Sequence, residues 1–270
     1  MKSFRTCCLI FWSVLLLFSS CTTVPITGRS QLNLIPGSTI LSMSSEQYGQ
    51  FLKKNKKSSD KTQTEQVERV GRKIQQAVER YYTERGLAGE LKNYAWEFNL
   101  MEGKEVNAWC LPGGKVVVYT GILPVAANEA GLAVIMGHEI AHAIAAHGNE
   151  RMSQGMAFQF GGMALSTALA TKPAETQQLW MTAFGLGAQY GLLLPYSRLH
   201  ESEADHLGLI FMTMAGYDPG EAAAFWGRMA KKKDGKAPPE FLSTHPSDET
   251  RIQKIKSLIP EVKERYGTRK

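Results

Sequence analysis

The stretch GHEIAHAIAAHGNE, Gly137 to Glu150, gathers His138, Glu139, His142 and His147 in an otherwise small and apolar run. On a helix, residues advance about 100° each, so His138 and His142, four apart, share one face and can grip a single ion. Glu139 projects beside that pair, where a carboxylate can take a proton from a water molecule. The H-E-x-x-H spacing is therefore the arrangement that zinc-dependent peptide hydrolysis needs.

A catalytic zinc keeps three protein ligands and one open position. A third histidine at the metzincin spacing is excluded, because the positions that would hold its glycine and histidine are Ala145 and Gly148. His147, five residues past His142, lies well around the helix and reads as a supporting histidine. A later acidic segment, SRLHESEAD from Ser197 to Asp205, supplies the remaining option. Glu201 can complete the ligand set, with Asp205 on the same face at i,i+4 as the carboxylate that orients a zinc-bound histidine; Glu203 points elsewhere. An acidic helix start also has a plain reading as a favourable dipole interaction.

The elements that must carry these residues are mostly helical, with a small sheet. A helix is predicted near Ser45 to Lys54, and a clear one over Thr64 to Arg85, where Val67, Val70, Ile74, Ala77, Val78 and Tyr81 recur at helical spacing. The period then shortens: YAWEFNLM, EVNAW and KVVVYT read as strands around the LPGG turn. Asn128 caps the H-E-x-x-H helix, predicted to run to about His147. Three closing helices are expected over Arg198 to Ala215, Pro219 to Lys231 (capped by Asp218) and Ser247 to Leu258. Between the H-E-x-x-H helix and these three, two nearly uncharged stretches, Ser153 to Thr171 and Gln177 to Ser197, read as buried core helices, with a membrane-touching or substrate-facing hairpin as the alternative.

NEAGLAVIMGHEIAHAIAAH, SRLHESEADHLGL, the upstream NAWCLPGGKVVVYTGIL and the downstream LSTHPSDETRI together resemble the HtpX and CAAX-prenyl-protease family of zinc metallopeptidases. The similarity is greatest to its soluble, envelope-exposed bacterial branch and to the related mitochondrial stress peptidase. It implies a predominantly helical α+β, zincin-like fold with the sheet beside the active-site helix, and one Zn2+ per chain held by His138, His142 and Glu201. It also implies that His245 can occupy the open zinc position as a fourth ligand or gate, and that Arg198 lies near the site, either steadying an oxyanion or orienting Glu201. Misfolded or stalled envelope proteins are the implied substrates. The rival reading is a chaperone-like or assembly factor with a closed, mostly latent zinc site, working with envelope assembly machinery. Substrate is expected to lie extended, pairing with KVVVY as an added strand.

The 270 residues, 43% hydrophobic, are enough for one main domain with a real core. MKSFRTCCLIFWSVLLLFSSC has basic Lys2 and Arg5, an apolar run of about a dozen residues and a small-residue end at a cysteine, the layout of an export signal. Its last four residues resemble a lipobox, so Cys21 is the expected lipidation site. The expected organisation is a signal at 1–20, a lipid-attached tether at 21–44, the metallopeptidase domain at 45–262 and a tail at 263–270, placed at the bacterial envelope on the periplasmic face of the outer membrane. Cys110 then has no partner, so no disulfide framework exists. The net charge of +6 falls to +4 once Lys2 and Arg5 leave; without a nucleic-acid motif, the basic runs are solvated faces and no nucleic-acid partner is expected.

Overall fold

The computed structural model describes residues 21–189, 193–232, 245 and 249–267. The expected signal at 1–20 lies outside the described residues. The chain folds as a predominantly helical α+β protein whose described residues form two compact units, one of those up to 40 and within 145–198, the other of those within 41–144 and from 199 onward.

In the larger unit, α1 (Gly37–Lys54) begins eight residues before the predicted start at Ser45. α2 (Lys61–Thr83) is capped by Asp60, whose Oδ1 accepts from the Gln63 amide at 2.9 Å. The six apolar residues at helical spacing are all buried, as the periodicity requires. At Gly71 a Cβ would meet the Phe98 ring at 2.3 Å, so only glycine lets α2 lie this close to the sheet.

That sheet consists of β3 (Glu97–Met101), β4 (Ala108–Leu111) and β5 (Lys115–Tyr119), in the order β3-β5-β4. β3 runs parallel to β5 and β4 antiparallel. KVVVY is thus the central strand, with Val116, Val117 and Val118 fully buried. Both its edges are already paired, so it cannot accept the added substrate strand the sequence suggested. Among the described residues the edge strands are β3, whose outer side holds an isolated bridge between Lys57 and Met101, and β4.

α3 (Glu129–Ile144) carries the opening cluster and is buried from Gly131 to Ile144. Asn128 Oδ1 accepts from the Gly131 amide at 2.8 Å. The helix stops short of the predicted end at His147 because Ala146 adopts left-handed backbone, φ 55°, which breaks the hydrogen-bond ladder. α6 (Leu194–Met214) supplies Glu201 and Asp205. It meets α3 through two glycines: a Cβ on Gly208 would sit 3.0 Å from the His138 backbone nitrogen, and one on Gly137 would sit 3.1 Å from the Gly208 carbonyl oxygen. This backbone-to-backbone approach brings the two ligand-bearing helices within reach of one ion. Gly208→Ala is expected to force them apart and cost about 1–3 kcal/mol, the typical range for overpacking, read as a lower midpoint in thermal unfolding.

α7 (Gly220–Lys231) starts where Asp218 Oδ1 accepts from the Gly220 amide at 3.0 Å. α8 (Glu249–Tyr266) runs well past the predicted end at Leu258, through Pro260, with Ile252, Ile255 and Val262 buried.

In the smaller unit the segment expected as a tether holds an antiparallel pair, β1 (Cys21–Thr23) with β2 (Ser30–Leu32). Arg29 donates from Nη1 and Nη2 to the two carboxylate oxygens of Glu150, at 3.0 and 2.8 Å. Glu150 lies in α4 (His147–Leu169), which is followed by α5 (Ala174–Ala188). These helices overturn the buried-core reading. The residues α4 buries are polar, His147, Asn149, Glu150, Ser153 and Gln154, whereas Phe160, Met163, Leu179, Trp180 and Leu186 are exposed. Apolar content alone does not decide burial; a helix also needs neighbours. Among the described residues no single helix is long and apolar enough to cross a membrane.

Candidate metal centre

His138, His142, Glu201 and His245 converge, all four buried, with one ligand atom from each within 4.8 Å of the others. His138 Nε2 lies 3.1 Å from His142 Nε2 and 3.1 Å from His245 Nδ1. Glu201 places Oε1 at 3.2 Å from His142 Nε2 and Oε2 at 3.4 Å from His138 Nε2, and His245 Nδ1 is 2.9 Å from Glu201 Oε1. Donors at 2.0–2.1 Å from a tetrahedral ion stand about 3.3 Å from one another, so these separations match a zinc-sized cation. The donor set, three imidazole nitrogens and a carboxylate without thiolate, also suits zinc.

Asp205 and Arg251 shape this cluster. Asp205 Oδ1 is 3.1 Å from His138 Nδ1, the ring nitrogen turned away from the cluster, which fixes the orientation of that imidazole. Arg251, from α8, donates through Nε and Nη2 to the Asp205 oxygens at 2.8 and 2.7 Å. The same Nη2 lies 3.2 Å from Glu201 Oε2, and the guanidinium stacks 3.5 Å over Trp226 of α7. One arginine thus compensates two buried carboxylates and holds them against the histidines.

The electrostatics follow from the same contacts. Burial opposes charge on His138, yet Asp205 and Glu201 outweigh it and push its pKa up to about 9. Burial alone would raise Glu201, but His138, His142 and His245 hold it far below the usual carboxylate range. Asp205 is likewise lowered against its burial, by Arg251 and His138. A pocket that concentrates negative charge in this way favours a cation among the ligands.

Glu139 is buried beside the cluster, its Oε1 3.4 Å from His245 Nε2. Cys110, on β4, is the nearby thiol; burial and then the Glu139 charge push its pKa well up, so it offers no thiolate. His147 is buried in α4, outside the four-residue cluster, and Glu203 is buried outside it too. Arg198 is exposed on α6, and the guanidinium that reaches Glu201 belongs to Arg251. Sequence reasoning missed Arg251. Its signal was the arginine of LSTHPSDETRI, four residues before a buried Ile255, which nothing local ties to Asp205.

Arg251→Gln is expected to leave the Asp205 and Glu201 carboxylates uncompensated. Zinc affinity should fall about 10- to 100-fold in a competitive chelator titration, as losses of a ligand-orienting partner do.

Residues 68–259, which contain every member of the cluster together with Glu139, Asp205 and Arg251, match Peptidase family M48. The chain belongs to that family. Similar M48 proteins include the mitochondrial metalloendopeptidase OMA1 of Schizosaccharomyces pombe, 39% identical over 180 residues, covering 66% of this chain and 51% of the relative. The human mitochondrial metalloendopeptidase OMA1 is 29% identical over 255 residues, covering 92% and 48%. The beta-barrel assembly-enhancing protease of Escherichia coli is 28% identical over 161 residues, covering 58% and 33%. The chain spans about half the length of the mitochondrial relatives it matches.

Proposed function

We propose that this M48 chain is a zinc-dependent endopeptidase of protein quality control, acting on misfolded or stalled proteins of the bacterial envelope. The observation that carries the reading is the convergence of His138, His142 and Glu201 with Glu139 beside them. His138, His142 and Glu201 would hold a zinc ion, which when bound would supply Lewis-acid polarisation of the scissile carbonyl and a water acidic enough to ionise near neutral pH. Glu139 accepts the proton of the attacking water and delivers it to the leaving amine. Asp205 keeps His138 in its working orientation, and Arg251 keeps both carboxylates in register.

An extended substrate segment adds to the free edge of β4, the strand that carries Cys110 beside Glu139. Backbone pairing of this kind tolerates varied side chains, which suits unfolded substrates. Envelope location rests on the sequence of residues 1–21, with Cys21 as the acylated residue; the mass of the mature N-terminus tests it, and an unmodified Cys21 or another start would end that part.

His245 gives a second feature of the site. Its Nδ1 lies with the other ligand atoms of the cluster and its Nε2 is 3.4 Å from Glu139 Oε1, which places the ring between the metal site and the general base. We read it as a gate that withdraws when substrate binds. His245→Ala is expected to hydrolyse unfolded casein about tenfold faster than wild type at equal zinc content, the scale of one ligand exchange made unnecessary. If wild type and His245→Ala, both zinc-loaded, cleave no faster than Glu139→Gln, the chain is a binding or assembly factor and the peptidase reading is wrong.

A further inference from the structure

We infer that the hairpin of α4 and α5 is a bilayer-contacting element, seated among phospholipid acyl chains at the interface without crossing. The inference extends the envelope reading and rests on it for location only.

The hairpin closes through one pair of faces and leaves others bare. Phe158 of α4 stacks on Phe184 of α5, ring centroids 5.0 Å apart and planes 6° from parallel. Away from that contact, Phe160 and Met163 are each 57% exposed, and Leu179, Trp180 and Leu186 are 68%, 56% and 51% exposed. In α4, Met152, Met156, Phe160 and Met163 follow at spacings of four, four and three, so they form one stripe opposite Phe158. Large apolar side chains clustered in this way mark an interaction surface.

Charge decides the occupant. Between Arg151 and Arg198 the only charged residues are Lys172, in the turn between the helices, and Glu175, in the first turn of α5. A docking face for a folded protein or a second copy has an apolar centre ringed by polar and charged residues. Here the arms otherwise carry neither sign of charge for a rim, and their polar residues are Gln, Ser and Thr, a composition that apolar lipid accepts at shallow depth. Among the described residues no single helix is long and apolar enough to cross a membrane, so the hairpin is placed at the interface.

The chain's own connectivity brings the hairpin to lipid. The residues after Cys21 are fastened to the base of α4: the Leu34 amide donates to Ser153 Oγ at 2.9 Å, Asn149 Nδ2 donates to the Ile35 carbonyl at 2.9 Å, and Arg29 pairs with Glu150. An acyl chain on Cys21 and the exposed hairpin therefore belong to one compact unit.

The test uses the full chain, reconstituted into vesicles of phosphatidylethanolamine and phosphatidylglycerol doped with a phospholipid bearing a photoactivatable diazirine in its acyl chain. After illumination, adducts are mapped by mass spectrometry in wild type and in Cys21→Ala. Hairpin peptides over 152–186 are expected to carry on the order of tenfold more adduct than the exposed face of α8, in both proteins, and Phe160→Glu with Leu179→Glu and Trp180→Glu should remove most of it. Hairpin labelling no higher than that of α8 overturns the proposal, whatever Cys21 carries. Chain-to-chain cross-links through 152–186 in place of lipid adducts would assign the face to a second copy and overturn it as well. Absence of the acyl mass on Cys21, with the hairpin still labelled, removes only the lipoprotein part of the envelope reading.

Discussion

Glu139→Gln should abolish hydrolysis of an unfolded protein, lowering kcat about a thousandfold while leaving bound zinc at one per chain. General acid–base catalysis contributes about 10²–10⁴ in rate, and the amide of glutamine can neither take nor return the proton. The substitution is nearly isosteric, and Glu139 is not among the four residues whose ligand atoms converge. The zinc measurement matters as much as the rate. A variant that lost both zinc and activity would make Glu139 a structural support of the metal, and the separate assignment of base and ligands would fail.

The second large effect is expected at Glu201. Glu201→Gln keeps the volume but removes the one negative ligand, and zinc affinity should fall by about a thousandfold, more than the 10- to 100-fold typical of orienting residues. Activity should disappear at ordinary zinc concentrations and return in part when zinc is raised. The change also leaves the Arg251 guanidinium, held at 3.2 Å from Glu201 Oε2 and at 2.7 Å from Asp205 Oδ1, with one carboxylate instead of two. That variant separates ligand from base: excess zinc is expected to rescue Glu201→Gln and to leave Glu139→Gln inactive.

What could be read from the sequence follows from how locally each feature is encoded. His138 and His142 are set by helical spacing, and Glu201 and Asp205 by an i,i+4 pair on one helix, so their positions follow once the helices are recognised. The α2 stripe from Val67 to Tyr81 is legible for the same reason, since one face of a periodic helix must find a core. Arg251 was not legible, because its partner Asp205 lies 46 residues away and only the packing of α8 on α7, around Trp226, brings them together. The central place of KVVVY was equally hidden: strand order is a property of the whole sheet, and alternation within one strand does not reveal it. The α4–α5 hairpin failed in the other direction. Its composition was read correctly as apolar, yet whether an apolar helix is buried depends on neighbours that no local pattern names.

Gly137 and Gly208 are an intermediate case. Each is an unremarkable helical glycine in the sequence, and only the crossing of α3 and α6 shows that a side chain there would meet the opposing backbone. That crossing is what turns two separate sequence motifs into one site.

The most direct test of the account is X-ray absorption at the zinc edge on the full chain loaded with one equivalent of zinc. A four-coordinate centre of nitrogen and oxygen donors at about 2.0–2.2 Å is expected, with imidazole scattering reduced in His142→Ala and in His245→Ala. A sulfur donor at about 2.3 Å, or a centre unchanged by loss of His142, would place the metal elsewhere and contradict it.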